Sequence, residues 1–136
     1  MAVDKDINIL VVDDSLGIRL AVKKMFNKLG FEHIEIADDG TTALEIMKDQ
    51  LFDLVVVDWS MPKMSGIELV QEMKKSERLK DIPALLVTAD EEQETIMTAL
   101  RAGINNYMKK PYEAKVIIEK IDQIFKFQEK QRLRNN

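Results

Sequence analysis

Leu54-Val55-Val56-Val57 runs without a polar residue and stops on Asp58. A strand covered on both faces by other elements has no side for water, so it reads as continuous apolar sequence rather than alternation. Working outward, the same kind of run recurs as Ile7-Asn8-Ile9-Leu10-Val11-Val12 and as Ala84-Leu85-Leu86-Val87. His33-Ile34-Glu35-Ile36-Ala37 and Asn106-Tyr107-Met108-Lys109 are weaker runs, expected nearer the edges of a sheet.

Between these runs the apolar period becomes that of a helix. Ile18, Val22, Met25 and Leu29 fall on one stripe with Phe26 beside it, and Gly30 closes the segment. Thr42-Ala43-Leu44-Glu45 and Ser65-Gly66-Ile67-Glu68 both have the form of a capping box that opens an apolar-periodic segment. Glu91 to Ala102 reads as a helix closed by Gly103, and Ala114 to about Lys130 carries Ile117, Ile121, Ile124 and Phe125 on one face. The chain is thus β-α repeated five times, an α/β fold of (βα)5 type with a doubly wound parallel sheet and helices on both faces. The flavodoxin-like strand order 2-1-3-4-5 is carried over from known members of that class.

Composition narrows the chemistry. At 136 residues the chain fits one domain. With no Cys, disulfides, thiolate zinc sites, iron–sulfur clusters and Cys nucleophiles are excluded, and a single His rules out a His-rich metal site. A net charge of −4 argues against direct DNA binding. The apolar runs are far too short to insert in a membrane, and Met1-Ala2-Val3-Asp4-Lys5-Asp6 lacks the order of a signal peptide, which points to a cytoplasmic protein. No internal repeat or Pro/Gly-rich linker divides the sequence. One domain over 5–130 is expected, followed by a short polar tail, 131–136, with Gln128 to Asn136 read as a fraying helix end.

In an open parallel sheet, ligands bind beyond the carboxyl ends of the strands where the strand order reverses, here between strands one and three. Strand one ends in Asp13-Asp14-Ser15, strand three in Asp58, strand four in Thr88 and strand five in Lys109-Lys110-Pro111. Each taken singly has an ordinary structural reading, since acids and hydroxyls after strands commonly cap the next helix. Together, three clustered carboxylates repel one another unless a cation compensates. Only oxygen ligands are offered, so the cation is a hard one, Mg²⁺ by preference with Mn²⁺ as the alternative. A hydroxyl and a lysine beside it suit an anion held on that metal, which points to phosphate.

Asp13-Asp14, Asp58-Trp59-Ser60-Met61-Pro62-Lys63-Met64-Ser65-Gly66, Thr88-Ala89 and Tyr107-Met108-Lys109-Lys110-Pro111 resemble, in this order and at these strand ends, the receiver domain of bacterial response regulators. The similarity runs from about Lys5 to Lys130 and looks like the stand-alone, CheY-like type, with no effector domain after the fifth helix; CheY is itself a known example of the strand order above. The resemblance implies that Asp58 is the phosphoacceptor, a carboxylate nucleophile that forms an acyl phosphate. It implies Asp14, Asp58 and the backbone carbonyl of Ser60 as direct metal ligands, with Asp13 holding the metal through water. Lys110 matches the phosphate-pairing lysine, joined to Pro111 by a cis bond in the family, while strand alternation should turn Lys109 the other way. Thr88 matches the hydroxyl that moves onto the phosphoryl group, and Tyr107 the aromatic residue that then turns inward. Ser60 and Asp90 stand where the family tunes the lifetime of the acyl phosphate.

The implied partners are a sensor histidine kinase or histidine phosphotransfer protein, and an output protein on the face of helix four, strand five and helix five, with the protein itself a monomer. Val116, Ile118 and Phe127 lie off the centre of the fifth helix's apolar stripe and are candidates for that face. Chemotaxis-type signalling is favoured over a phosphorelay intermediate or a kinase-regulating adaptor. A haloacid-dehalogenase-like phosphatase needs a second Asp two positions after its nucleophile, and Ser60 stands there instead. A flavodoxin-like FMN carrier needs hydrogen-bond donors in the first loop, where Asp13-Asp14 would repel a phosphate. His33 reads as a surface residue, Trp59 as bordering the site, and Met61 and Met64 as loop packing.

Overall fold

A computed structural model describes residues 3–61, 63–89, 93–110 and 112–135. Five strands alternate with five helices: β1 (Asn8–Val12), α1 (Leu16–Lys28), β2 (His33–Ala37), α2 (Gly40–Asp49), β3 (Leu54–Asp58), α3 (Gly66–Lys74), β4 (Ala84–Thr88), α4 (Gln93–Ala102), β5 (Asn106–Lys109) and α5 (Ala114–Arg134). All strand pairs are parallel, and the order is β2-β1-β3-β4-β5. The expected (βα)5 architecture and strand order are therefore both observed.

Two cores, one on each face, account for the apolar runs. Ile9, Val11, Leu54, Val56, Leu85, Val87 and Met108 pack with Val22 and Phe26 of α1 and Ile117, Ile121 and Ile124 of α5. Their strand neighbours Leu10, Val12, Val55, Val57, Ala84 and Leu86 pack with residues of α2, α3 and α4. Successive strand residues point to opposite faces, so a sheet sandwiched between helices must be apolar at every position. His33 is exposed on the edge strand β2, as expected.

Three local expectations are corrected. Helix α2 is not opened by a box at Thr42; Asp39 is its N-cap and accepts from the Thr42 N–H at 2.8 Å, which places Thr42 inside the first turn. Asp39 stands where the chain leaves β2 in an extended conformation, so the cap forms earlier than the Thr-x-x-Glu pattern suggested. In α1 the buried positions are Val22 and Phe26, whereas Ile18 is exposed, because the stripe facing the sheet is turned toward Phe26. Helix α5 continues through Arg134, past the end expected at about Lys130. The box at Ser65 does form, with Ser65 and Glu68 each accepting from the other's backbone N–H at 3.2 Å.

Candidate functional site

The sheet register assembles the site. Val12 pairs with Val57 across β1 and β3, so Asp13 and Asp58, each one residue further on, leave the sheet side by side. Asp58 in turn pairs with Val87, and Thr88 with Lys109. Alternation then chooses the faces. Asp13, Asp58 and Lys110 each stand two residues beyond a side chain packed toward α1 and α5, namely Val11, Val56 and Met108. Lys109, of opposite parity, is exposed. The lysine at the site is accordingly Lys110, whose Nζ lies 3.0 Å from Asp58 Oδ1 and 3.3 Å from Asp13 Oδ2.

Asp13, Asp14 and Asp58 bring carboxylate oxygens within 4.8 Å of one another. Asp13 and Asp58 are buried, whereas Asp14 is exposed. Burial pushes the Asp58 carboxyl above its ordinary value; the Lys110 hydrogen bond pulls it back, and the Asp13 charge pushes it up again. Burial alone would lower the Lys110 ammonium, but its bonds to Asp58 and Asp13 outweigh that and hold it above its ordinary value. Lys110 thus pairs with two of the three acids, and among the described residues Asp14 makes no ion pair, leaving an excess of negative charge at the site. Oxygen donors, crowding and uncompensated charge fit a hard divalent cation, and Asp13, Asp14 and Asp58 are the residues that could hold it.

The surrounding backbone is tied tightly to this cluster. Lys110 N–H donates to the Thr88 carbonyl at 2.8 Å, and Trp59 N–H to the Val87 carbonyl at 2.9 Å. Thr88 is buried at the end of β4. Ser60 is exposed at the start of the loop that Gly66 closes by donating to the Trp59 carbonyl at 3.1 Å. A Cβ at Gly66 would lie 2.3 Å from the Asp58 carbonyl oxygen, so only glycine lets α3 begin this close to the Asp58 backbone. Within the loop Lys63 has φ 66°, unusual for a side chain of this type. Its ammonium reaches 3.8 Å from Asp39.

Tyr107 is half-buried on β5, with the Lys120 ammonium 5.2 Å from its ring centroid. Trp59, Met61 and Met64 pack against the α2-α3-α4 core, as expected of site-bordering and loop residues. Asp90, Pro62 and Pro111, with the expected cis bond before Pro111, lie outside the described residues.

Two residues near the site were not legible as such from sequence. Arg19 of α1 donates from Nη1 to the Asp13 carbonyl at 2.6 Å. The phenol of Tyr112 is pushed up to about 12 by burial and then by the charges of Asp13 and Asp58. The only hint of either was proximity in sequence, Tyr112 two residues after Lys110 and Arg19 one helical turn after Ser15.

An acid cluster at the β1/β3 strand ends, answered by a lysine from β5, defines this molecule as a receiver domain: residues 9–122 match the response regulator receiver domain family, and the chain belongs to it. CheY-like receiver domains are signalling switches rather than turnover enzymes, and they bind Mg²⁺ at an acidic pocket. Among its relatives, chemotaxis protein CheY-3 of Vibrio cholerae is 44% identical over 122 residues, covering 90% of this chain and 94% of that protein. Chemotaxis protein CheY of Pseudomonas aeruginosa is 45% identical over 117 residues, covering 86% and 94%. The solved structure of Vibrio cholerae chemotaxis protein CheY4 superposes with a TM-score of 0.82 at 28% identity, covering 88% of this chain and 98% of that one.

Proposed function

We propose that this chain is a cytoplasmic, monomeric, single-domain response regulator of chemotaxis type, switched by phosphorylation of Asp58. The observation that carries this reading is the Lys110 ammonium 3.0 Å from Asp58 Oδ1 inside a cluster of three carboxylates. A carboxylate oxygen of Asp58 attacks the phosphorus of a phosphohistidine on a histidine kinase or phosphotransfer protein. An O–P bond forms, the N–P bond breaks, and the imidazole leaves and takes a proton from solvent. Asp14, Asp58 and the Ser60 carbonyl would hold Mg²⁺, with Asp13 behind them; when bound, the metal neutralises charge on the phosphoryl oxygens. Lys110 pairs with the transferred group through the ammonium that now holds Asp58 and Asp13.

The phosphoryl group adds charge and acceptor oxygens that Thr88 and Lys110 bind in one arrangement of the loop after β4. A ligand shifts an equilibrium only through its differential affinity for the two states, and these two side chains supply that difference. Tyr107 then turns inward. Beside it lies a hollow of about 640 Å³ lined by Tyr107, Lys109, Tyr112, Lys115, Val116 and Lys120, part of the α4-β5-α5 face expected to receive the output protein. Ser60 and Asp90 would tune how long the acyl phosphate lasts.

The test is labelling by acetyl phosphate, followed by intact mass. Wild type should gain one phosphoryl group in Mg²⁺ and none in EDTA, and Asp58→Asn should gain none under either condition. Full labelling of Asp58→Asn removes the phosphoacceptor assignment, and labelling unaffected by EDTA removes the metal.

A further inference from the structure

Asp13 is gripped at four points. Its N–H donates to the Ala37 carbonyl at 3.1 Å, its Oδ1 accepts from the Ser15 N–H at 2.9 Å, and its Oδ2 faces the Lys110 ammonium at 3.3 Å. The fourth grip is on its carbonyl oxygen, which accepts from Arg19 Nη1 at 2.6 Å. That carbonyl belongs to the peptide unit joining Asp13 to Asp14. A planar peptide turns as one body, so holding its oxygen sets the direction in which the Asp14 backbone sets out. Asp14 needs such help. It lies past the last paired residue of β1, ahead of α1, and is exposed.

The choice of donor is informative. Among the described residues the Arg19 guanidinium makes no ion pair, although it touches the backbone of one of the clustered acids. A half-buried cation on a helix is committed to a neutral carbonyl, a charge-assisted bond stronger than a neutral donor would make. Simple charge balance does not require that geometry, whereas orientation of the Asp13–Asp14 peptide does.

We infer that Arg19 is a positioning residue for the divalent-cation site, holding the Asp13 carbonyl so that Asp14 presents its carboxylate beside that of Asp58. This rests on the metal reading given above. The two ways in which Arg19 could matter have opposite signs. As a nearby cation it repels a divalent ion, so through charge alone its removal tightens Mg²⁺ binding. As a clamp it preorganises a ligand, so its removal loosens binding, by about tenfold on the scale of other groups that orient metal ligands.

Mg²⁺ is titrated into the metal-free protein, followed by calorimetry and by the fluorescence of Trp59, the chain's one tryptophan and the neighbour of Asp58. Arg19→Gln is expected to bind about tenfold more weakly than wild type, and Arg19→Lys, which keeps a charged donor on a shorter reach, to recover part of the loss. Unchanged or tighter binding by a folded Arg19→Gln overturns the inference, as does a lowered melting temperature with Mg²⁺ affinity intact. If Arg19→Gln does not fold, Arg19→Met, which keeps an apolar stem without a donor, is read in the same way. Absence of Mg²⁺ binding by the wild type would instead overturn the metal reading, so the two failures are distinguishable.

Discussion

Burial raises the Asp58 carboxyl above its ordinary value, the Lys110 hydrogen bond opposes this, and the charges of Asp13 and Asp14 raise it further. Its folded-state value lies above the ordinary 3.8, so in metal-free solution the folded state releases this proton later than the unfolded chain does. Stability from this group therefore falls as pH rises from about 3.8 through the folded value. In EDTA, Asp58→Asn should melt above wild type at pH 7, with the gap closing below pH 3.8. A variant less stable than wild type at pH 7 contradicts this. At this scale the sequence was a good guide wherever strand parity applied, as in the choice of Lys110 over Lys109. It was silent on Arg19, which bonds the Asp13 carbonyl from α1, and on Tyr112, whose phenol feels the charges of Asp13 and Asp58 from beyond β5.

Helix ends show how element-level reasoning can succeed and fail on the same pattern. Ser65 and Thr42 both precede a glutamate by three residues, yet only Ser65 caps a helix. Asp39 takes the second role, and its hydrogen bond from the Thr42 N–H holds its carboxyl below the ordinary 3.8. A depressed value stabilises the fold above the unfolded value, and the contribution is lost as pH falls through the folded one. Asp39→Ala should therefore cost about 1 kcal/mol at neutral pH by denaturant unfolding. That difference should narrow at pH values below 3.8, and a constant gap would show that charge has no part in the cap. The missed signal was Asp39-Gly40: an acid followed by a glycine into whose Cβ position Met64 is packed.

Across the whole molecule, the reversal of strand order is what makes a site. Because β3 follows β1 in space while β2 turns to the other side, acids from two distant segments stand together, and the ends of β4 and β5 add Thr88 and, one residue past its register partner Lys109, Lys110. Anything that binds only the folded state raises its stability through mass action. Mg²⁺ at a hundred times its dissociation constant should add about 2.7 kcal/mol to wild type, reversed by EDTA. If Asp58 is one of the ligands as proposed, the melting temperature of Asp58→Asn should respond far less. Equal Mg²⁺ responses in the two proteins would place the bound cation elsewhere.

The order of elements, the two-sided burial of the strands and the identity of the acids, hydroxyl and lysine at their ends were all determined by the sequence alone, because apolar periodicity and strand-end position are local properties. Tertiary structure decided what depends on contacts across the chain. It set which oxygens lie within 4.8 Å of one another, that Lys110 serves both Asp58 and Asp13, and that a guanidinium from α1 holds the peptide between Asp13 and Asp14. Those distances follow from register and helix docking, and residues far apart in sequence carry no local mark of the partner they will meet.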